Sequence, residues 1–382
     1  MQFSDIIGQE FIKSHLTTSI DGNRVAHAQL FVGNSGSGVL PMAIAFAQYL
    51  ICSNSDGNNK GSSACNAKFK HLSHPDLHFA FPVATNENVK KNPVSGHFLK
   101  EWGEFVARNP YSSLYEWYQY IGIEKKQGQI GVNEALDVVK SLSLKSYEGG
   151  FKVMIIWMAE KMNSAAANKL LKLIEEPPQK TVFILIAEDA DGIIDTIKSR
   201  CQILQFPALG EAAIEEALIK IEGCEVDQAK KLAHQAHGDY NKAKQLLYHE
   251  GEDEEFETWF IAWVRTAFKA KGNKKSILDL MSWSEQIASK GRETQKGFLD
   301  YCVEFFRQAL MLNYKADSLV YLKPQTQFDL SKFAPFVHGN NIEDIIDELQ
   351  NAAYHIERNG NAKIILTDLS IKLTRLLHRN AS

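Results

Sequence analysis

Residues 151–187 read FKVMIIWMAEKMNSAAANKLLKLIEEPPQKTVFILIA. The two ends of this stretch, 151–157 and 181–187, are short continuous apolar runs, the pattern of strands buried on both faces of a sheet. Between them, NSAAANKLLKLIEE at 163–176 has the Ala and Leu content of a helix. A third apolar run, AQLFVG at 28–33, leads through GNSGSGVLP into a helical pattern, LPMAIAFAQYLI. Strand alternating with helix predicts an α/β domain with a parallel sheet and helices on both faces.

After Pro207 the remaining chain is amphipathic helical pattern with no convincing strand. Residues 208–250 fit a small helical bundle ending in AHGDYNKAKQLLYHE, and the acidic run EGEDEEFE at 250–257 marks a junction. Longer helices such as FETWFIAWVRTAFKA and AKIILTDLSIKLTRLLHR then fit an all-α domain at 251–382. At 382 residues, such a division into domains is expected. Within the α/β part, residues 82–128 interrupt the alternation with polar, Pro- and Gly-containing sequence around one aromatic-rich helix at 99–122, whose Trp and Tyr are expected to pack locally.

Hydrophobic residues make up 45% of the chain and charged residues 23%, with a formal net charge of −4. That balance offers no global attraction to nucleic acid or anionic membranes, so any contact with DNA is local or made through partners. The N-terminal MQFSDIIGQEF lacks the pattern of a signal peptide, and no window is apolar for the length that spans a bilayer, which predicts a cytoplasmic protein without membrane contact. The cysteines at 52, 65, 201, 224 and 302 are an odd number without the spacing of a disulfide framework and are expected to be reduced.

Gly33–Gly38 has the G-x-x-x-x-G frame of a phosphate-binding loop. In a working loop the next two residues are Lys, which neutralises the β and γ oxygens, and Ser or Thr, whose hydroxyl holds Mg²⁺. Here they are Val39 and Leu40. The strand KVMIIWMAEKMN, where acidic residues would hold Mg²⁺ and polarise water, carries Trp157 and Met158, with Glu160 on the following turn. Neither Trp nor Met coordinates a hard cation or accepts a proton.

The block at 159–206, AEKMNSAAANKLLKLIEEPPQKTVFILIAEDADGIIDTIKSRCQILQF, resembles very closely the one in bacterial clamp-loader subunits of the AAA+ superfamily. IIGQE at 6–10, AHAQLFVGNSGSG at 26–38, HPDL at 74–77 and AHGDYNKA at 236–243 fall in the family order as well. The likeness implies an α/β AAA+ domain with a RecA-like parallel sheet at 1–207, a helical lid at 208–250 and an oligomerising collar at 251–382. Within the family the departures from the ATP-hydrolysing pattern resemble the delta-prime subunits of DNA polymerase III, which have lost ATP binding. Besides Val39, Leu40, Trp157 and Met158, Ala187 stands where a polar sensor is expected, and Asn241, next to Lys242, stands where the lid arginine is expected.

What remains of the family chemistry is Ser199, Arg200 and Cys201. The resemblance implies that Arg200 completes a neighbouring subunit's ATP site, a task suited to the planar guanidinium. It also places a four-Cys zinc module after the loop helix; here Cys52 and Cys65 remain while Lys68 and His71 stand at the other two positions, and His74 belongs to the HPDL turn. Lys68 is not a credible ligand, so no zinc is expected.

The resemblance implies a non-catalytic clamp-loader subunit without cofactor. Its implied partners are the clamp-loader ATPase subunits and the clamp-opening delta subunit, and through the complex it meets the sliding clamp and primed DNA. Two other readings are a weakly active AAA+ ATPase motor, disfavoured by the loop without Lys, and a stand-alone DNA-binding module, disfavoured by the absence of a basic stripe.

Overall fold

In the computed structural model, five parallel strands form one sheet in the order β2-β3-β4-β1-β5. They are β1 (Ala28–Val32), β2 (Leu77–Ala80), β3 (Lys152–Ile156), β4 (Thr181–Ala187) and β5 (Gln202–Gln205). The structure describes all residues except 54–62, 124–125, 148–149, 249–251, 271–272, 317–319, 321–325, 327, 359 and 381–382. They fall into two compact units, Met1–Tyr248 and His249–Ser382.

The central strands β1, β3 and β4 are buried along their whole length, which is why each reads as an unbroken apolar run. Register places Leu30 opposite Leu185 and Ile155 opposite Ile184. Because side chains alternate across a strand, Phe31, Ile184 and Ile186 enter the core on one face, while Leu30, Phe183 and Leu185 enter the core on the other. The first face is covered by α1 (Glu10–Asp21) and α2 (Val39–Ser53), and the second by α6 (Val132–Ser143) and α7 (Ser164–Glu175). The short strands β2 and β5 were not read from the sequence: four residues carry too little pattern.

The insertion at 82–128 contains two helices, α4 (Leu99–Arg108) and α5 (Leu114–Tyr120), where one was expected. The break falls at Asn109–Ser113, where Pro110 holds the preceding residue extended, with Asn109 at φ −158° and ψ 100°. Trp102 and Trp117 are 1% and 0% exposed. They pack on each other at 5.2 Å between ring centroids and on Phe81 of the sheet side, so the two tryptophans are core, while Tyr120 is 38% exposed.

Among the described residues from 208 onward the regular structure is helical. In the first unit α9 (Glu211–Glu222), α10 (Val226–Gln235) and α11 (Tyr240–Tyr248) share a small core. The second unit holds α12 (Glu252–Ala270), α13 (Lys274–Ala288), α14 (Arg292–Asn313), α16 (Ile342–Glu357) and α17 (Ala362–Leu376), with the short α15 (Leu330–Phe333). Its core is aromatic: Trp263 stacks on Trp283 at 4.9 Å, and its indole N–H donates to Ser370 Oγ at 2.8 Å. The junction expected at 250–257 begins in residues outside the described ones. No helix of the described residues is long and apolar enough to cross a membrane.

Candidate functional site

The chain leaves β1 at Val32, turns through Gly33–Gly38 and enters α2 at Val39. The turn depends on its glycines, since Gly36 and Gly38 have φ of +74° and +92°, left-handed values that strain a side chain. Val39 and Leu40 are each 5% exposed and belong to the core. Where a phosphate-binding loop offers a cation and a hydroxyl, this one offers packed hydrocarbon.

The second motif is equally apolar. Trp157 and Met158, both 2% exposed, close the end of β3, and Trp157 packs on Trp102 at 5.0 Å. Glu160 lies on the short 3-10 turn that follows, Ala159–Lys161. Burial pushes its carboxyl up to about 7, with the negative charge of Glu188 adding to the effect. Ala187 ends β4 and accepts the Gly33 N–H at 3.1 Å through its backbone carbonyl.

Two carboxylates from elsewhere in the fold meet the loop, and neither was singled out from the sequence. Glu188 Oε1 accepts the Ser35 N–H at 3.1 Å. Asp239 caps α11, its Oδ1 accepting the Lys242 N–H at 3.0 Å, and the same oxygen lies 1.7 Å from where a Cβ on Gly36 would stand. Burial raises the Asp239 carboxyl to about 6, against the opposing pull of the N–H groups of Lys242 and Asn241. The Tyr240 N–H donates to the Gly36 carbonyl at 3.2 Å, so the start of α11 sits directly on the loop. An Asp one residue before a helical pattern is a helix-cap signature and was legible in HGDYNKA; Glu188 has no local signature.

From the insertion, Tyr111 covers the other side. Its ring lies 3.3 Å from a Cβ placed on Gly38, its hydroxyl accepts the Ile7 N–H at 2.9 Å, and it packs edge-on against Tyr240 at 5.0 Å. Burial raises the Tyr111 hydroxyl to about 12, so it stays protonated. Asn241, at the position of the expected lid arginine, is buried and accepts from Asn109 Nδ2 at 2.6 Å while donating to Glu116 Oε2 at 2.7 Å. What remains between loop, Tyr111, Trp157 and Glu188 is a cavity of about 20 Å³, room for roughly one water.

Arg200 is on the surface, away from this loop in sequence and fixed by its own chain. It follows the short helix α8 (Asp195–Lys198); Nε pairs with Glu175 Oε1 at 2.6 Å, and Nη1 donates to the Thr196 carbonyl at 2.7 Å and to Ser199 Oγ at 3.2 Å. Nη2 makes no hydrogen bond to another described residue, and the side chain is 38% exposed. Ser199 caps α8, its Oγ donating to the Thr196 carbonyl at 3.2 Å. Cys201 is half-buried, and that burial raises its thiol to about 11, which suppresses the reactive thiolate.

The remnant of the zinc module takes a different form from the one expected. Cys52, at the end of α2, and Cys65, in α3 (Ser63–Lys70), are joined by a disulfide with S–S 2.02 Å. The expectation that all five cysteines are reduced is therefore corrected for this pair: α2 packs on α3 and brings the Cα atoms to 5.8 Å, within bonding range. Cys201, Cys224 and Cys302 are free. His71 is exposed, and buried His74 uses Nδ1 to accept the Asp76 N–H at 3.1 Å. Among the described residues no cluster of three His, Cys, Asp or Glu side chains is arranged for a metal ion.

Comparison with known proteins gives a consistent kinship. Subunit delta' of DNA polymerase III from Bacillus subtilis (strain 168) is 30% identical over 207 residues, covering 54% of this chain and 49% of that protein. The subunit delta' of Haemophilus influenzae is 28% identical over 178 residues, 46% of this chain and 41% of its own. DNA polymerase III subunit tau of B. subtilis is 22% identical over 399 residues, taking in 100% of this chain and 63% of that one. The chain thus spans about half the length of the first of these relatives. The family model described as DNA polymerase III, delta subunit, matches residues 8–210, more than half of the chain. With that match resting on the same α/β region whose loop and strands are described above, the chain belongs to the DNA polymerase III delta subunit family, among the clamp-loader proteins.

Proposed function

We propose that this chain is a non-catalytic, delta-prime-like subunit of a clamp loader, which neither binds nor hydrolyses ATP and helps ATPase subunits and a clamp-opening subunit load a sliding clamp onto primed DNA. The observation that carries the reading is the loop at Gly33–Gly38, whose surroundings do not fit a nucleotide triphosphate. Its Ser35 N–H is held by Glu188 and its Gly36 is covered by Asp239. Two anionic groups stand where phosphates would need cations.

In this reading residues 1–207 form the AAA+ domain, 208–250 the lid and 251–382 the oligomerising collar. The surface arginine at 200 serves the ATP site of a neighbouring ATPase subunit. Support comes from its exposure and from the uncommitted Nη2, which leaves donors for a phosphate oxygen. The test has two parts. Calorimetric titration of the purified chain with Mg²⁺ and ATP is expected to show no binding, and micromolar affinity would end the reading. In complexes reconstituted with the ATPase subunits, Arg200→Ala is expected to leave assembly intact while lowering ATP turnover at one site; a finger in trans is worth on the order of 10³-fold at the site it serves. Unchanged turnover and clamp loading in an intact complex would show that Arg200 only shapes its own turn.

A further inference from the structure

We propose that Glu175 is a positioning residue for Arg200: its carboxylate fixes the plane of the guanidinium so that Nη2 faces outward, toward the neighbouring subunit. The proposal rests on the reading of Arg200 as an arginine supplied in trans. Its starting point is what each guanidinium nitrogen meets. Nε lies 2.6 Å from Glu175 Oε1 as an ion pair, and Nη1 donates to the Thr196 carbonyl at 2.7 Å and to Ser199 Oγ at 3.2 Å. Two hydrogen bonds at Nη1 and the ion pair at Nε set the orientation of the guanidinium plane, and the two donors on Nη2 are left over among the described residues.

Both sides of this contact are tied to the core at one remove. Glu175 is the last residue of α7 and follows Ile174, which is 0% exposed. Arg200 lies three residues beyond Ile197, also 0% exposed, and its N–H donates to the Ile197 carbonyl at 3.0 Å. Packing of α7 on α8 therefore sets where the carboxylate and guanidinium meet. A long, exposed arginine would otherwise sample many rotamers, and reaching a phosphate oxygen would then require ordering it at the moment of reaction. The contact is half-exposed, so its contribution to folding is small and its effect is on orientation.

The opposite outcome is chemically conceivable: a carboxylate could compete with the phosphate for the arginine. Substitutions at Glu175 separate the two. In the reconstituted complex, Glu175→Ala is expected to lower ATP turnover at the affected site by roughly tenfold, less than the ~10²-fold of a 1 Å displacement, with KM for ATP unchanged. Glu175→Gln keeps the shape and an oxygen beside Nε but removes the charge, and is expected to restore part of the rate. In the Arg200→Ala background Glu175→Ala is expected to cost nothing further, as coupled residues behave. If Glu175→Ala raises turnover, or leaves it unchanged while Arg200→Ala lowers it, the positioning role is wrong and the finger reading stands. If Arg200→Ala itself has no effect, the finger reading fails, and the role of Glu175 with it.

Discussion

Asn241 Nδ2 donates to Glu116 Oε2 at 2.7 Å, joining α11 to the insertion helix α5 across 125 residues of chain. The same carboxylate accepts the Ser113 N–H at 2.7 Å as part of the cap of α5, and its other oxygen takes Gln245 Nε2 at 3.2 Å. One glutamate therefore organises the start of a helix and its docking. Glu116→Ala leaves the buried Asn241 amide without its acceptor, and an unmade buried bond costs about 1–3 kcal/mol. The expected result is a lower urea midpoint for the first unit and faster hydrogen exchange in α11. An unchanged midpoint would mean the contact is incidental.

Placing Lys and Thr directly after the glycine loop is not expected to confer nucleotide binding. Val39→Lys with Leu40→Thr puts a charge and a hydroxyl into positions that are each 5% exposed, while Glu188 and Asp239 still face the loop. The double variant is expected to be less stable than the parent and silent in calorimetry with Mg²⁺ and ATP. Tight, Mg²⁺-dependent binding by this variant would show that these two positions alone decide whether the loop takes a nucleotide.

A pH dependence of stability follows from Glu134, which lies in α6, is 4% exposed, and accepts the Ser95 N–H at 2.5 Å. Burial raises its carboxyl from 4.5 to about 7. Between those values the folded chain holds a proton that the unfolded chain has released, so stability falls as pH rises through this window. Asp239 and Glu160, also raised by burial, act with the same sign. Glu134→Gln cannot titrate. It is expected to be more stable than the parent above pH 7, by at most about 3 kcal/mol, with the difference vanishing toward pH 4.5. Urea midpoints of both proteins at pH 5 and pH 8 check this; a difference independent of pH would assign it to packing.

The Cys52–Cys65 bond closes a sequence separation of 13 residues. In the chain-entropy account a loop of about 15 residues is worth roughly 3 kcal/mol. Reductant is therefore expected to lower the thermal midpoint of the first unit, and Cys52→Ser with Cys65→Ser is expected to start low and ignore reductant. An intact mass that includes both thiol hydrogens in the oxidised preparation would count against the bond.

The α/β character, the glycine loop, the absence of Lys directly after it and the helical second half could all be read from the chain by itself. Each depends on neighbours within a few residues: the unbroken runs at 28–33, 151–157 and 181–187, the glycine spacing at 33–38, and Val39 and Leu40 directly after it. Such patterns survive in one dimension because strand burial and helix periodicity are local. Even the candidate arginine was legible, through the ordered block around Ser199–Cys201. What faces the loop was decided only in three dimensions. Glu188, Asp239 and Tyr111 reach it from the end of β4, the cap of α11 and the break between α4 and α5, and Asn241 meets Glu116 across the same fold. The pairing of Cys52 with Cys65 likewise required α2 and α3 to pack at bonding distance. No local pattern encodes these meetings, because a side chain's partner is set by where folded elements converge, and a carboxylate's proton affinity by the burial that convergence produces.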